Sequence, residues 1–94
     1  MRVEWSVDAL SDLRAITTRI SQDNPKAAAR FSETIFAGVE RLALFPSIGR
    51  EGRVIGTREW IITKGPYVIP YRVRNGHLQV LAIFHTRRSA PCQR

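Results

Sequence analysis

The dipeptide Asn75-Gly76 stands between two runs of alternating residues, and it constrains the fold of this 94-residue chain more than any other feature. A type I′ turn needs positive φ at both central positions, which asparagine and glycine tolerate. The dipeptide therefore predicts a β-hairpin, and counting outward from the turn pairs Arg74 with His77. The two strands of this hairpin are predicted at Tyr67–Arg74 and His77–Phe84.

Extending this register assigns each hairpin residue to one of two faces. The first face is wholly apolar or aromatic and is predicted to cover the core; it pairs Val73 with Leu78, Tyr71 with Val80, Ile69 with Ala82 and Tyr67 with Phe84. The second face is predicted to be basic near the turn, with Arg72 and Arg74, and apolar further along. Its apolar part, which we expect to be exposed unless a partner covers it, consists of Val68, Leu81 and Ile83.

Two points along the predicted sheet leave the register open. Pro70 has no N–H for its hydrogen-bonded pair with Leu81, so we expect a bulge or bend there. A strand is also predicted at 58–63, but the length of the Lys64-Gly65-Pro66 connection is ambiguous. Either Arg58 and Trp60, or Glu59 and Ile61, then share the face of Arg72. A shorter strand is predicted at 53–55, after a loop at 47–52.

The first half of the chain has helical periodicity. Val3 and Trp5 alternate with polar residues, which is typical of a short strand. Ser6 is then a plausible N-cap for a helix ending near Ser21, and Asn24-Pro25 starts a second helix that ends at Phe45-Pro46. The short connection requires the two helices to be antiparallel. The apolar stripes of the two helices consist of Leu10, Leu13, Ile16 and Ile20, and of Ala28, Phe31, Ile35, Val39 and Leu42.

These elements predict one α+β domain over residues 1–94. It has two layers: an N-terminal strand and a helical hairpin, followed by a twisted, mainly antiparallel sheet of three or more strands. Residues 1–45 have six basic and six acidic side chains, whereas residues 46–94 have nine basic and two acidic ones, so the whole net charge of +7 lies in the second half. A charge distribution of this kind favours an anionic partner.

Other function classes have little support in the sequence. The single Cys92 closes no intramolecular disulfide and suggests a reducing cytoplasm. The longest uncharged apolar stretch, about Leu78 to Phe84, is far shorter than the ~20 residues of a membrane helix, so no membrane partner is expected. Two histidines and one cysteine without a carboxylate cluster predict no metal site, and no cofactor is expected.

Several short motifs occur in a fixed order along nearly the whole chain. They are Asp12-Leu13, Asn24-Pro25, Ala27-Ala28, Phe45-Pro46, Gly49-Arg50, Gly56-Thr57-Arg58-Glu59, Tyr67-Val68, Tyr71-Arg72-Val73, and His85 followed by Arg87-Arg88. No single motif is specific, but taken in order they resemble the RelE/ParE superfamily of bacterial type II toxins, and the ParE branch in particular.

The resemblance implies a toxin that is neutralised by a cognate antitoxin, usually acidic, encoded beside it. ParE-like members inhibit DNA gyrase and are not known as nucleases, whereas RelE-like members cut mRNA in the ribosome. RelE-like ribonucleases typically place an arginine early in the strand that corresponds to Tyr67–Val73, facing the cleft. The early outward residues here are Val68 and Pro70, which favours gyrase as the target and a protein that is not an enzyme. The alternatives are a ribosome-dependent endoribonuclease and a non-toxic basic module that binds nucleic acid.

Candidate site residues follow from the charge pattern and from the resemblance. For a nuclease, the catalytic candidates are His85, Arg72, Arg87 and Arg88, which could activate the 2′-OH, stabilise the phosphate and protonate the leaving group. The outward apolar residues Val68, Leu81 and Ile83 are predicted to bind the antitoxin. The candidates for contact with the target or another anion are Arg50, Arg53, Arg58, Arg72, Arg74, Arg87 and Arg88.

Overall fold

The computed structural model describes residues 1–62 and 67–86. A short strand, β1 (Arg2–Trp5), leads into two long helices, α1 (Val7–Asp23) and α2 (Pro25–Leu44), and a 3-10 turn at Pro46–Ile48 follows. The remaining elements are the strands β2 (Arg50–Glu51), β3 (Arg58–Ile62), β4 (Tyr67–Arg74), β5 (His77–Val80) and β6 (Phe84–His85). The α+β architecture predicted from the sequence is confirmed.

Local signals set the helix ends. The Ser6 hydroxyl accepts a hydrogen bond from the N–H of Ala9 at 3.0 Å and caps α1. Asn24 both ends α1, through its N–H to the carbonyl of Ile20, and caps α2, through its side-chain oxygen to the N–H of Ala27. Because one residue serves both helices, the connection is minimal and the helices pack antiparallel, as the sequence predicts.

The sheet has the order β1-β5-β4-β3-β2, and β6 also pairs with β4. All pairs are antiparallel except β1 with β5, which is parallel. The helices cover one face of the sheet, and the core lies between the two layers. Its buried residues are Ala9, Ile16, Phe31, Ile35, Val39, Leu42, Ile62, Ile69, Tyr71, Leu78, Val80 and Ile83.

The hairpin register is confirmed near the turn and changes beyond Val80. Arg74 pairs with His77 and Tyr71 with Val80, as predicted. Further along, Tyr67 pairs with His85 instead of Phe84. One extra residue therefore lies in the second strand, and the break falls opposite Pro70, whose carbonyl accepts from the N–H of Leu81 at 2.9 Å. The bulge or bend expected at Pro70 is present. The pairing predicted for Tyr67 with Phe84 is wrong by one residue, and that of Ile69 with Ala82 falls within the break.

The structure also corrects the predicted strand at 53–55. These residues form a turn in which the N–H of Gly52 donates to the carbonyl of Thr57 at 2.9 Å. Gly56 has φ of +84°, a conformation that glycine adopts without strain. The adjacent strand is β2, at Arg50–Glu51, inside the segment that was predicted to be a loop.

Tyr71 ties the 3-10 turn to the sheet. Its buried hydroxyl donates to the carbonyl of Pro46 at 2.6 Å and accepts from the N–H of Gly49 at 3.0 Å. Burial raises the pKa of Tyr71, and the neutral phenol is the form that makes both bonds. A Cβ at position 49 would overlap the Tyr71 hydroxyl, so the turn needs glycine there.

We expect Tyr71→Phe to lower the free energy of unfolding by about 1–3 kcal/mol, because two backbone groups lose their partner in a buried setting. Urea denaturation at pH 7 measures the change. Tyr67→Phe is the matched control, since the Tyr67 hydroxyl makes no hydrogen bond to the described residues, and it should change stability by less than about 0.5 kcal/mol. Equal effects at the two positions would contradict the bridging role.

Candidate functional site

The face of the sheet opposite the helices carries most of the described arginines of the second half. Arg72 and Arg74 alternate along β4 with Tyr71 and Val73, which lie on the helix side, and Arg50 pairs with Glu59 across β2 and β3. Arg53 follows in the turn and reaches the same side of the sheet. We call the side of the sheet that presents these four residues, Arg50, Arg53, Arg72 and Arg74, the arginine face.

Glu59 lies between Arg50 and Arg53 on the arginine face. Of the two alternatives left open by the sequence, the structure has Glu59 and Ile61 on the side of Arg72, because Glu59 pairs with Pro70; the Lys64-Gly65-Pro66 connection itself lies outside the described residues. The Glu59 side chain is only 4% exposed and accepts from Arg50 Nη2 at 3.0 Å and from the backbone N–H of Arg53 at 3.3 Å. The Arg53 Nε lies 3.9 Å from the second carboxylate oxygen. One carboxylate thus serves two guanidinium groups that are about half exposed, and an excess positive charge remains.

The predicted exposed strip of Val68, Leu81 and Ile83 is wrong for two of its three residues. Val68 is 0% exposed and Ile83 is 2% exposed. The extra residue after Val80 reverses the alternation, so Ile83 joins the core and Phe84 turns to the arginine face beside Val68. The guanidinium of Arg53 lies 5.8 Å from the centre of the Phe84 ring and helps to cover it. Only Leu81 stays partly exposed.

A network of hydrogen bonds between side chains extends across the arginine face from β4 through β5 to β1. Arg72 Nε donates to Gln79 Oε1 at 2.6 Å, and Gln79 Nε2 donates to Glu4 Oε1 at 3.3 Å. His77 Nδ1 lies 3.0 Å from the same Glu4 oxygen. The hydrogen bond from His77, followed by that from Gln79, holds the pKa of Glu4 below its ordinary value. The partner of Arg72 is neutral, so the charge of Arg72 is not compensated by the group that orients it.

The remaining basic candidates are separated by the fold. Arg58 lies on the helix side of β3, where its Nη1 donates to the carbonyls of Gly49 at 2.8 Å and Ser47 at 3.3 Å, so it stabilises the turn. Arg74 is exposed and makes no hydrogen bond or ion pair with residues 1–62 and 67–86. Arg87 and Arg88 lie outside the described residues.

His85 and Arg72, two of the candidates for a nuclease, lie on opposite faces of the sheet. His85 pairs with Tyr67, and the two rings meet edge to face with centroids 5.4 Å apart. Tyr67 in turn contacts Phe31 of α2 at 5.0 Å, which places this group on the helix side. Arg72 points to the other side with Gln79. The two described candidates therefore do not converge on a common point.

Sequence reasoning identified the arginines and missed two residues that organise them. Gln79 could have been found, because the hairpin register already pairs it with Arg72. Glu4 could not, because its position depends on the parallel pairing of β1 with β5, which no local signal specifies. Within the described segments no group of three His, Cys, Asp or Glu residues is placed to hold a metal ion. Neither described helix is long and apolar enough to cross a membrane.

Known proteins that are similar to this chain in sequence are described as toxins. The model of the family described as the ParE toxin of the type II toxin-antitoxin system parDE matches residues 3–90. The putative toxin Y4kP of Sinorhizobium fredii (strain NBRC 101917 / NGR234) is 38% identical over 90 residues, covering 96% of this chain and 93% of that protein. Toxin RelE2 of Caulobacter vibrioides is 34% identical over 87 residues, covering 93% and 97%.

Two solved structures have a similar fold. The chromosomal ParDE toxin–antitoxin system from P. aeruginosa contains a chain that superposes with a TM-score of 0.82 at 27% identity, covering 93% of this chain and 97% of that one. The isolated E. coli RelE toxin superposes with a TM-score of 0.61 at 11% identity, covering 98% and 90%, and at that identity the similarity concerns the fold alone.

Proposed function

Because the chain belongs to the ParE family of toxins of type II toxin–antitoxin systems, we propose that it inhibits DNA gyrase and that a cognate antitoxin neutralises it. Membership of the family implies the antitoxin partner, and gyrase is the target that the ParE branch suggests. We further propose that it acts in the cytoplasm, which the proposed target and the single Cys92 both support.

One observation favours gyrase over mRNA as the target of this toxin. An RNA-cleaving relative would be expected to present an arginine early in β4, facing outward. In this chain the outward positions are Val68 and Pro70, and both are buried; Phe84 pairs with Val68, and Arg53 lies over the Phe84 ring. A scissile phosphate would meet apolar groups there, which offer it no electrostatic stabilisation. The separation of His85 from Arg72 supports the same choice.

The arginine face supports an anionic contact of this toxin. The described part of residues 46–86 has five arginines and two glutamates, which gives a net charge of +3. The rest of the net charge of +7 comes from Lys64, Arg87, Arg88 and Arg94. We propose Arg50, Arg53, Arg72 and Arg74, with Arg87 and Arg88, as contacts for an anionic surface of the gyrase–DNA complex. We assign Arg58 to the fold, since its guanidinium donates to two backbone carbonyls.

The test is to express the chain without its antitoxin and to follow DNA and protein synthesis separately. We expect growth to stop and DNA synthesis to fall first. Purified protein should inhibit supercoiling by gyrase or trap cleaved DNA. Ribosome-dependent cleavage of mRNA that His85→Ala abolishes would overturn the proposal and indicate the endoribonuclease. Intact growth and intact gyrase activity at confirmed expression would indicate a non-toxic binding module.

A further inference from the structure

A hollow opens on the arginine face between β1 and β4. Its volume is about 260 Å³, and it is lined by Glu4, Trp5, Ser6, Arg72, Gln79 and Leu81. Pockets that enclose a drug-sized ligand measure roughly 300–1,000 Å³, so this one suits a single side chain better than a cofactor. Leu81, the one residue of the predicted outer strip that stays partly exposed, forms part of its wall.

Arg72 is the cation among the residues that line this hollow, and its guanidinium still has hydrogen-bond capacity for a ligand. Its Nε is occupied by Gln79 at 2.6 Å, which fixes the plane of the guanidinium. Its Nη1 and Nη2 groups donate to none of the described residues, and together they form a fork that matches the two oxygens of a carboxylate. The fork is oriented before any ligand arrives, so less side-chain entropy is lost when it binds.

Glu4 limits the anions that this hollow accepts. One of its oxygens already accepts from Gln79 and lies 3.0 Å from His77, and the carboxylate remains on the rim. A nucleic-acid backbone carries a charge at every phosphate, and the neighbouring phosphates would be repelled by Glu4. A single carboxylate with apolar flanks would meet Arg72, with Leu81 as part of the wall. The lining thus favours an acidic peptide over a polyanion.

We propose that this hollow is an anchor site for one Asp or Glu side chain of the antitoxin, with Arg72 as its binding partner and Gln79 as the residue that positions Arg72. This inference depends on the antitoxin partner of the proposed function and does not depend on gyrase. Arg74, on the same strand and face, lies outside the hollow and contributes only its charge to the surrounding field.

The test compares Arg72→Gln with Arg74→Gln, two variants that lose the same charge from neighbouring outward positions of β4. The probe is the purified antitoxin encoded beside the chain, and titration calorimetry at 150 mM NaCl measures its affinity. We expect Arg72→Gln to weaken binding about 10- to 100-fold, as for loss of a charged hydrogen-bonded contact, and Arg74→Gln by less than about threefold. Circular dichroism confirms that both variants are folded.

Gln79→Leu tests the positioning role, because it changes no charge. It should weaken antitoxin binding about three- to tenfold in the native chain and have no further effect in the Arg72→Gln background. A merely structural role for Gln79 would give the same loss in both backgrounds, and that result would overturn the positioning assignment.

Two outcomes would overturn the anchor site. Equal losses of antitoxin affinity in Arg72→Gln and Arg74→Gln would show that Arg72 contributes only its charge and makes no specific contact. A loss specific to Arg72→Gln that affects a 20-base single-stranded DNA probe, with antitoxin affinity unchanged, would assign the hollow to nucleic acid. Failure of the unmodified chain to bind the antitoxin would overturn the antitoxin part of the proposed function as well, which separates that failure from failure of the site alone.

Discussion

Ile83→Asp should leave most molecules unfolded at 25 °C. Ile83 is 2% exposed and belongs to the core, so the change removes an aliphatic side chain worth about 2–5 kcal/mol and buries a carboxylate without a partner. The N–H of Ile83 also donates to an Asp12 carboxylate oxygen at 3.0 Å, so a second negative charge would lie nearby. A domain of this length has roughly 5–14 kcal/mol of stability in all, and a loss of this size consumes most of it.

Ile61→Asp is the matched control. Ile61 lies on the arginine face of β3 and is 39% exposed, so the same substitution keeps its carboxylate in water and should cost about 1 kcal/mol through strand propensity. Urea denaturation followed by circular dichroism measures both variants. A folded Ile83→Asp chain with stability close to that of Ile61→Asp would contradict the core position of Ile83 and restore the outer strip that the sequence predicts.

The contrast between these two positions shows where sequence reasoning succeeds and where it fails. Asn75-Gly76 acts locally, and it correctly predicts every pair from Arg74–His77 to Tyr71–Val80. Pro70 correctly predicts that the ladder breaks, since its missing N–H is a property of the residue itself. How the chain continues after the break depends on the contact of Asp12 with Ile83 and on the packing of Phe84, and these contacts are distant in sequence.

The same distinction holds for the helices and for the candidate site. Ser6, Asn24 and Pro25 specify the helix ends through short-range hydrogen bonds, and these ends are predicted correctly. Whether Glu59 lies on the arginine face depends on the register of β3 with β4. The sequence was compatible with two loop lengths and therefore with two registers. The parallel pairing of β1, which brings Glu4 to Gln79, follows from the crossover through α1 and α2, and no residue in β1 encodes it.

Gly38→Ala should lower the free energy of unfolding by about 2 kcal/mol, although alanine favours helix formation. Gly38 is in the middle of α2 and buried, and a Cβ there would overlap the Cη2 and Cζ3 atoms of Trp60 on β3. Alanine gains about 1 kcal/mol over glycine in a helix interior. Moving an indole ring out of a packed site costs about 1–3 kcal/mol and occasionally more, so the packing effect outweighs the helix propensity. Urea denaturation measures the net change.

The double variant isolates the cause, because shrinking the ring removes the overlap and leaves the helix propensity. In a Trp60→Leu background the effect of Gly38→Ala should change sign and stabilise the chain by up to about 1 kcal/mol. The two substitutions would then be coupled by about 2–3 kcal/mol, well above the ~0.5 kcal/mol expected for independent sites. Equal destabilisation by Gly38→Ala in both backgrounds would show that Gly38 is needed for a reason other than Trp60. A change of sign would establish that close contact between α2 and β3 requires a helix residue without a side chain. This contact holds the helical layer against one side of the sheet, and the arginine face is the other side.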